Sequence, residues 1–260
     1  MKVLILDTAA DAADYVAARV AAVLADAPRT VLGLATGGTM EAVYARLIAL
    51  HRAGRASFAE ATSFNLDEYV GLAPGHPRSY WRYMREALFE HVDMDPARAH
   101  LPRGDAADPE AEAARYEAAI LAAGDVGLQL LGIGHNGHIG FNEPTSSLAS
   151  LTRLKTLTRA TREANSRYFA RFEDTPRLAI TMGIGTILRA REVLLLASGP
   201  GKAQAVAAMV EGPVTAICPA SALQMHRRAT VVLDEEAASA LRLRDYYEVV
   251  HPGGQDPAQV

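Results

Sequence analysis

One stretch of this chain, residues 126–144, constrains its fold and function more than any other. It begins with a short, mainly apolar run, residues 126–133, which is typical of a buried strand in a parallel sheet. A glycine-rich turn follows at once and places five polar side chains within nine positions. These side chains are His135, Asn136, His138, Asn142 and Glu143. Because ligands of open α/β sheets bind at the carboxyl ends of the strands, we predict an active-site loop here.

The same glycines also match the dinucleotide-binding pattern G-x-G-x-x-G over residues 132–137. That pattern requires a helix directly after the glycines and an acidic residue about 20 positions further on. Gly140 and Pro144 interrupt such a helix, and residues 150–160 contain no acid, which disfavours a dinucleotide. A zinc site needs three or four ligands in a recognisable spacing, and the only cysteine, Cys218, lies far away in sequence. Two interpretations stay open on this stretch alone: an acid–base site, or a plain turn whose histidines satisfy backbone groups.

Length and composition limit the classes of protein to which the chain can belong. With 260 residues, of which 50% are hydrophobic, it can form one large α/β domain, predicted over residues 1–250 with a flexible tail at 251–260. A net charge of −4 gives no electrostatic case for nucleic-acid binding. No apolar run reaches the length of a membrane span, and the first residues lack the features of a secretory signal. A single cysteine suits the cytoplasm.

Strand-like and helix-like segments alternate along the chain. This pattern predicts a three-layer α/β/α architecture with a mostly parallel sheet. The predicted strands are residues 2–6, 31–34, 61–65, 126–133, 153–158, 178–182, 193–197 and 230–233. The predicted helices are residues 9–25, a segment carrying Val43 and Leu47, residues 109–123 and 162–171, a segment opened by residues 199–202, and residues 235–243.

Two further glycine turns precede predicted helices. Residues 36–39, Thr-Gly-Gly-Thr, and residues 199–202, Gly-Pro-Gly-Lys, place backbone N–H groups at helix starts, where anions bind. The second turn adds the cation Lys202, and Arg167 is a further possible phosphate ligand. An ordinary βα turn and solvated basic side chains are the competing interpretation. Together, the two turns would suit a phosphorylated metabolite.

A pair of acidic residues, Asp67 and Glu68, follows the predicted strand at residues 61–65. Paired carboxylates at a strand end are candidates for proton transfer, because one can abstract a proton while the other orients it. The competing interpretation is that Asp67 caps a helix beginning near Glu68. The residues alone slightly favour the helix cap.

Six segments carry a resemblance that joins these features: GLATGGT, FNLDEYVGL, HPRSYWRYM, GIGHNGHIGFNEP, SSLASLTRLKTLT and ANSRYF. In order and spacing they resemble the glucosamine-6-phosphate deaminases, over residues 2–247. The resemblance implies a modified Rossmann-like fold without a nucleotide. It also implies conversion of glucosamine 6-phosphate and water into fructose 6-phosphate and ammonia, with no metal or organic cofactor.

The resemblance also implies a role for each matched residue. Asp67 resembles the base that moves a proton between C2 and C1, and His138 resembles the residue that opens the sugar ring. Glu143 would hold the imidazole and balance its charge. Asn136 falls where some members have Asp, so its role would be orientation. The positions that match phosphate ligands are Gly37, Gly38, Thr39, Arg167 and Lys202.

The resemblance further implies regulation and two rival functions. In hexameric members, N-acetylglucosamine 6-phosphate activates the enzyme between subunits, and the matching positions here are Ser146, Arg153, Lys155, Thr156 and Tyr246. We therefore expect a homohexamer. A sugar-phosphate lactonase of the same superfamily is the nearest alternative, although it has no need for a base at Asp67. A non-catalytic sugar-phosphate sensor is another, but it would normally carry a DNA-binding segment ahead of the fold.

Overall fold

The computed structural model describes residues 1–167 and 169–255. Its strands and helices alternate along most of the chain. In chain order they are β1 (Lys2–Leu6), α1 (Ala9–Asp26), β2 (Val31–Leu34), α2 (Gly38–Arg52), β3 (Thr62–Asn65), β4 (Asp67–Tyr69), α3 (Tyr80–Ala87), β5 (Ala99–His100), α4 (Pro109–Ala122), β6 (Leu128–Leu131), β7 (Arg153–Thr156), α5 (Arg159–Ser166), β8 (Leu178–Thr181), α6 (Ile184–Leu188), β9 (Glu192–Ala197), α7 (Ala203–Val210), β10 (Ala229–Asp234) and α8 (Arg244–Val250).

The described residues form a seven-stranded parallel sheet, with the strand order β1-β10-β9-β6-β2-β3-β5. Helices flank this sheet, which confirms the predicted layered α/β architecture. β2, β6 and β9 are buried along their whole length, as their mainly apolar sequences predict. The chain runs from β2 towards β3 on one side, while β6 lies on the other side of β2. This divergence is a topological switch point, where open α/β sheets bind their ligands.

Local sequence signals explain the two helices whose bounds were predicted best. Thr8 caps α1 by accepting the N–H of Asp11 at 3.1 Å, and the buried face of α1 carries Val16 and Val20, as predicted. Asp108 caps α4 by accepting the N–H groups of Glu110 and Ala111, both at 3.0 Å. A proline at the first position of α4 completes that start signal.

A second sheet was not predicted. β4, β8 and β7 form it in that order, and both pairings are antiparallel. β4 follows β3 after a single residue, Leu66, so the chain leaves one sheet and enters the other. Asp67 pairs with Thr181 of β8 and therefore begins a strand. The interpretation of Asp67 as the cap of a helix near Glu68 is wrong.

Two predicted helices in the second half of the chain differ from the structure, whereas a third is confirmed. The helix predicted at 162–171 is α5, which begins at Arg159 because the hydroxyl of Thr158 caps it, accepting the N–H of Thr161 at 3.2 Å. Residues 199–202 open a helix as predicted, since Pro200–Lys202 forms a 3-10 turn that leads directly into α7. The segment predicted as the helix 235–243 makes turns, because Arg242 and Leu243 donate their backbone N–H groups to the Glu211 carboxylate at 3.0 and 2.9 Å. The last helix, α8, follows these turns.

The end of the described chain packs against β1. Pro252–Gly254 forms a 3-10 turn, and Gly254 is buried against Leu6. The remainder of the predicted tail, residues 256–260, lies outside the described residues. Within the described ranges, no helix is long and apolar enough to cross a membrane.

Candidate active site

A cavity of about 740 Å³ opens at the carboxyl edge of the main sheet, beside the switch point. Six segments line it: the turns after β2, β3, β6 and β9, the start of α3, and α5 with the residues just after it. Another groove, of about 510 Å³, lies at the opposite edge between residues 27–31 and 123–127. None of the predicted site residues lines that groove. The cavity at the carboxyl edge is therefore the candidate active site.

Most of the predicted catalytic and phosphate-binding residues meet in this cavity. Its lining includes Gly37, Gly38, Thr39, Asp67, Asn136, His138, Arg167 and Lys202. Glu143 does not line the cavity but lies behind it, with 2% of its surface exposed. The predicted activator-site residues Ser146, Arg153, Lys155, Thr156 and Tyr246 do not line the cavity either.

The glycine-rich turn after β6 builds a cluster around the Glu143 carboxylate. The amide of Asn136 donates to Glu143 Oε2 at 2.8 Å, and His138 Nδ1 lies 3.5 Å from the same oxygen. The hydroxyl of Thr158, just ahead of α5, donates to Glu143 Oε1 at 3.1 Å. We call Asn136, His138, Glu143 and Thr158 the imidazole cluster. The 3.5 Å separation is that of an ion pair, longer than a well-formed hydrogen bond.

The imidazole cluster keeps Glu143 ionised. Burial opposes its ionisation, but the nearby side chains of His138, Thr161 and Asn136 outweigh this effect and lower the pKa of Glu143 to about 2. The ionised carboxylate lies beside the imidazole of His138, and imidazole is the side chain most often used for general acid–base transfer. Asn136 holds the carboxylate but cannot itself titrate, as expected for Asn at this position.

Glycine is required at one position of this turn. A Cβ built on Gly134 would lie only 2.2 to 2.5 Å from ring atoms of His138. The peptide of Gly134 also donates its N–H to the carbonyl of His138 at 2.9 Å, which closes the turn. The backbone therefore approaches the imidazole more closely than any side chain would allow.

Asp67 presents a carboxylate to the cavity from the start of β4. Its side chain is nearly buried, with 5% of the residue exposed. Burial, together with the charge of Glu68, raises the pKa of Asp67 to about 8. A carboxylate whose basicity is near neutrality is well matched to general-base catalysis. Gly140 allows the close approach here, since a Cβ on it would lie 3.3 Å from Asp67 Oδ2.

The other end of the cavity is suited to an anion. α2 begins at Gly38, and Gly37 adopts a φ of 110°, in the region that favours glycine. The N-terminus of this 15-residue helix faces the cavity together with the cations Arg167 and Lys202. The ammonium of Lys202 donates to the carbonyl of Ile133 at 2.7 Å. Burial and the nearby Arg167 lower the pKa of Lys202, as expected where two cations converge.

Some lining residues were not assigned a role from the sequence. Ser79, Tyr80 and Tyr83 belong to the start of α3, and the hydroxyl of Tyr83 donates to the carbonyl of Gly37 at 3.1 Å. They lie in the segment HPRSYWRYM, which contributed to the family resemblance but to which no site role was assigned. The sequence signal that could have located this helix start is Ser79, a residue type that commonly caps helices. In the structure its hydroxyl caps α3 by accepting the N–H of Arg82 at 3.2 Å.

The predicted activator-site residues lie on neighbouring elements outside the cavity. Arg153 and Lys155 are two positions apart on β7 and therefore share one face of that strand. Arg153 donates to the side-chain oxygen of Asn142 at 2.9 Å. Its second terminal nitrogen and the buried hydroxyl of Ser146 have no hydrogen-bond partner within the described residues. Tyr246 lies on α8, which packs against β1 at the edge of the main sheet, and is 61% exposed.

Across residues 1–167 and 169–255, no group of three or more His, Cys, Asp or Glu side chains is placed to hold a metal ion. Cys218 is buried and forms no disulfide within these residues.

Comparisons with known proteins identify relatives that match nearly the whole chain. A family model described as glucosamine-6-phosphate isomerases/6-phosphogluconolactonase matches residues 6–233. The glucosamine-6-phosphate deaminase of Cellvibrio japonicus is 54% identical over 255 residues, which cover 98% of this chain and 97% of the relative. The glucosamine-6-phosphate deaminase of Corynebacterium aurimucosum is 53% identical over 247 residues, covering 95% of this chain and 96% of the relative.

Solved structures give the same picture of the fold. A structure described as a monomeric glucosamine-6-phosphate deaminase is 48% identical, with a TM-score of 0.90, and the match covers 92% of this chain and all (100%) of that one. A 6-phosphogluconolactonase from Trypanosoma brucei is 19% identical, with a TM-score of 0.72, over 92% of this chain and 98% of that one. At that identity the second likeness concerns the fold alone.

Proposed function

The chain belongs to the glucosamine-6-phosphate isomerase/6-phosphogluconolactonase family, and we propose that it is a glucosamine-6-phosphate deaminase. The reaction converts glucosamine 6-phosphate and water into fructose 6-phosphate and ammonia. One observation carries the proposal: a buried basic carboxylate, Asp67, shares a cavity with the imidazole cluster and an anion-binding helix start. The identity of 54% to a deaminase over nearly the full length supports the same substrate.

The geometry supports a reaction in three stages. His138 takes the proton of the anomeric hydroxyl and returns one to the ring oxygen, which opens the ring, while Glu143 balances the imidazolium charge. Asp67 then takes the C2 proton of the open-chain sugar and delivers it to C1, so that an enolamine becomes a C2 imine. Water adds to C2, and ammonia leaves as the C2 ketone forms. The phosphate would be held by Gly37, Gly38, Thr39, Arg167 and Lys202, at the end of the cavity away from these proton transfers.

The release of ammonia tests the proposal directly. We expect the purified protein to release ammonia from glucosamine 6-phosphate and to form fructose 6-phosphate in equal amount. The control substrate is 6-phosphogluconolactone, which a lactonase of the same fold would hydrolyse. Hydrolysis of the lactone without ammonia release from the amino sugar would overturn the proposed function.

The basicity of Asp67 predicts how turnover depends on pH. The base must be deprotonated to take the C2 proton, and its pKa is raised to about 8. Turnover should therefore rise with pH and lose about tenfold for each unit below that pKa. The measurement is kcat against pH, because kcat reports the groups of the enzyme–substrate complex. An acidic limb in the ordinary carboxylate range, near pH 4, would contradict a raised pKa.

We also propose that the subunits form a homohexamer, which N-acetylglucosamine 6-phosphate activates. Arg153 and Lys155 on one face of β7, with the unpaired hydroxyl of Ser146 nearby in sequence, supply donors suited to a phosphate. Thr156 points to the other face of β7 but adds a hydroxyl at the end of the strand, and Tyr246 would join the site from a second subunit. Because one solved relative is described as monomeric, the mass in solution is the first test.

Lys155→Ala should remove the response to the activator while leaving turnover at saturating substrate unchanged. Lys155 lies outside the cavity, so its loss should leave catalysis intact. It should weaken binding of the activator, which regulates the enzyme by binding one of its states better than another. The measurement is the substrate curve of wild type and variant with and without N-acetylglucosamine 6-phosphate. Hyperbolic wild-type kinetics that ignore this sugar phosphate would overturn the regulatory proposal and leave the deaminase proposal intact.

A cytoplasmic location remains part of the proposal. The single thiol, Cys218, is buried, and burial raises its pKa, so it is a weak nucleophile that needs no oxidising compartment. Detection of the native protein in the cytoplasmic fraction of its cells tests the location.

A further inference from the structure

Glu68 lies directly behind the candidate base. It follows Asp67 on β4, and adjacent strand residues point to opposite faces. Asp67 lines the cavity whereas Glu68 does not, and only 1% of Glu68 is exposed. A fully buried carboxylate beside the reacting group is costly and needs a physical reason.

The Glu68 carboxylate is held by three backbone N–H groups. It accepts from Tyr69 at 2.8 Å, from Tyr80 at 3.0 Å and from Trp81 at 3.0 Å. Tyr80 and Trp81 are the first two residues of α3, where backbone donors have no partner within the helix. Glu68 therefore fastens the start of α3 to β4.

The start of α3 is also a wall of the cavity. Ser79, Tyr80 and Tyr83 line it, and Tyr83 reaches across to the carbonyl of Gly37 beside the anion-binding turn. A shift of α3 would therefore move the wall relative to both the base and the phosphate end. The three hydrogen bonds of Glu68 oppose that shift.

The charges around Glu68 are mainly negative. Within the described residues, no ion pair joins Glu68 to a cation. The charge of Glu68 acts on Asp67, and the charge of Asp105 acts on Glu68. The phenols of Tyr80 and Tyr116 also face Asp67. Burial raises the pKa of Glu68 to about 7, against the effect of its three backbone donors. Ionisation of either carboxylate therefore opposes ionisation of the other.

We propose that Glu68 is a positioning residue for the isomerisation step, which anchors the wall helix α3 and holds a carboxylate directly behind that of Asp67. Its negative charge favours the protonated form of Asp67. The proton that Asp67 takes from C2 is then held more tightly than an isolated carboxylate would hold it. This inference rests on the proposed function, because it assigns Asp67 the role of the base.

Two neutral variants test the effect of the charge. Glu68→Gln keeps the shape but turns an amide group towards one backbone donor, whereas Glu68→Met removes the charge together with the acceptor of all three N–H groups. In both, the acidic limb of kcat against pH should move to lower pH by about one unit. The plateau at high pH should fall by about threefold to tenfold, because a less basic carboxylate is a weaker base. An unmoved limb in a folded neutral variant would overturn the inference.

A shortened variant, Glu68→Asp, separates anchoring from charge. It keeps the charge but cannot reach all three N–H groups, so we expect a several-fold rise in KM with the acidic limb in place. Glu117→Gln is the matched control for the loss of a buried carboxylate. Glu117 accepts hydrogen bonds from Thr152, Thr186 and Arg189, away from the cavity, so its loss should lower Tm without moving the limb. An equal shift of the limb in Glu117→Gln would also overturn the inference.

Failure of this inference can be distinguished from failure of the proposed function. If Asp67→Asn loses activity but the neutral Glu68 variants keep the wild-type limb, only the role of Glu68 is wrong. If Asp67→Asn keeps normal turnover, the base assignment and this inference both fail.

Discussion

Replacing Asp67 with Asn is expected to lower turnover of glucosamine 6-phosphate by about 10²-fold or more while substrate binding changes little. The amide keeps the size of the side chain but cannot take the C2 proton. The proposed phosphate contacts lie on other segments, at Gly38, Thr39 and Lys202, so the variant should still bind the sugar. Removal of a buried carboxylate with a raised pKa also relieves an unfavourable charge, so the variant should not be less stable above neutral pH.

The experiment separates chemistry from binding. Ammonia release gives kcat, and calorimetry with the alditol of glucosamine 6-phosphate, which cannot cyclise or isomerise, gives affinity. Asp108→Asn is a matched control, because the same change at the cap of α4 retains a good capping residue far from the cavity. Near-normal turnover in Asp67→Asn would exclude Asp67 as the base.

The main sheet could be predicted because its signals are local. Short apolar runs mark β2, β6 and β9, and caps such as Thr8 and Asp108 mark helix starts within a few residues. The second sheet could not be predicted in this way. Its first strand, β4, has only three residues, Asp-Glu-Tyr, and is paired with β8 through contacts remote in sequence. At that length a polar strand and a helix cap have the same sequence signal.

The candidate site also combines features that local sequence signals predict with contacts that they do not predict. Glycine turns after β2 and β6 indicated the two ends of the cavity. The acidic pair after β3 was a candidate for proton transfer, although the residues alone slightly favoured a helix cap. The contacts that tune these groups join distant segments. Thr158 reaches Glu143 from the start of α5, and Glu68 reaches Tyr80 and Trp81 of α3. No spacing rule encodes such contacts, since they depend on how the second sheet folds against the first.

Gly134→Ala is expected to reduce turnover about as strongly as the loss of the base, although the change adds a single methyl group. The added Cβ would lie 2.2 Å from Cε1, 2.3 Å from Nε2 and 2.5 Å from Nδ1 of His138, so the ring must leave its position. The ring would then lose its place 3.5 Å from Glu143. Displacement of a reacting group by about 1 Å can cost 10²-fold in rate, and we expect a loss of at least that order in kcat.

Gly132→Ala is the control that isolates this effect, since it makes the same change two residues earlier. There the nearest atom to the new Cβ is the methyl carbon of Met40, at 4.0 Å, an ordinary contact. Neither glycine has a positive φ, so alanine introduces no backbone strain at either position. We therefore expect Gly132→Ala to keep turnover within about twofold, and both variants to unfold near the wild-type Tm. Wild-type turnover in Gly134→Ala would show that catalysis does not need the imidazole at this position, whereas an equal loss in Gly132→Ala would attribute the effect to the turn and not to His138.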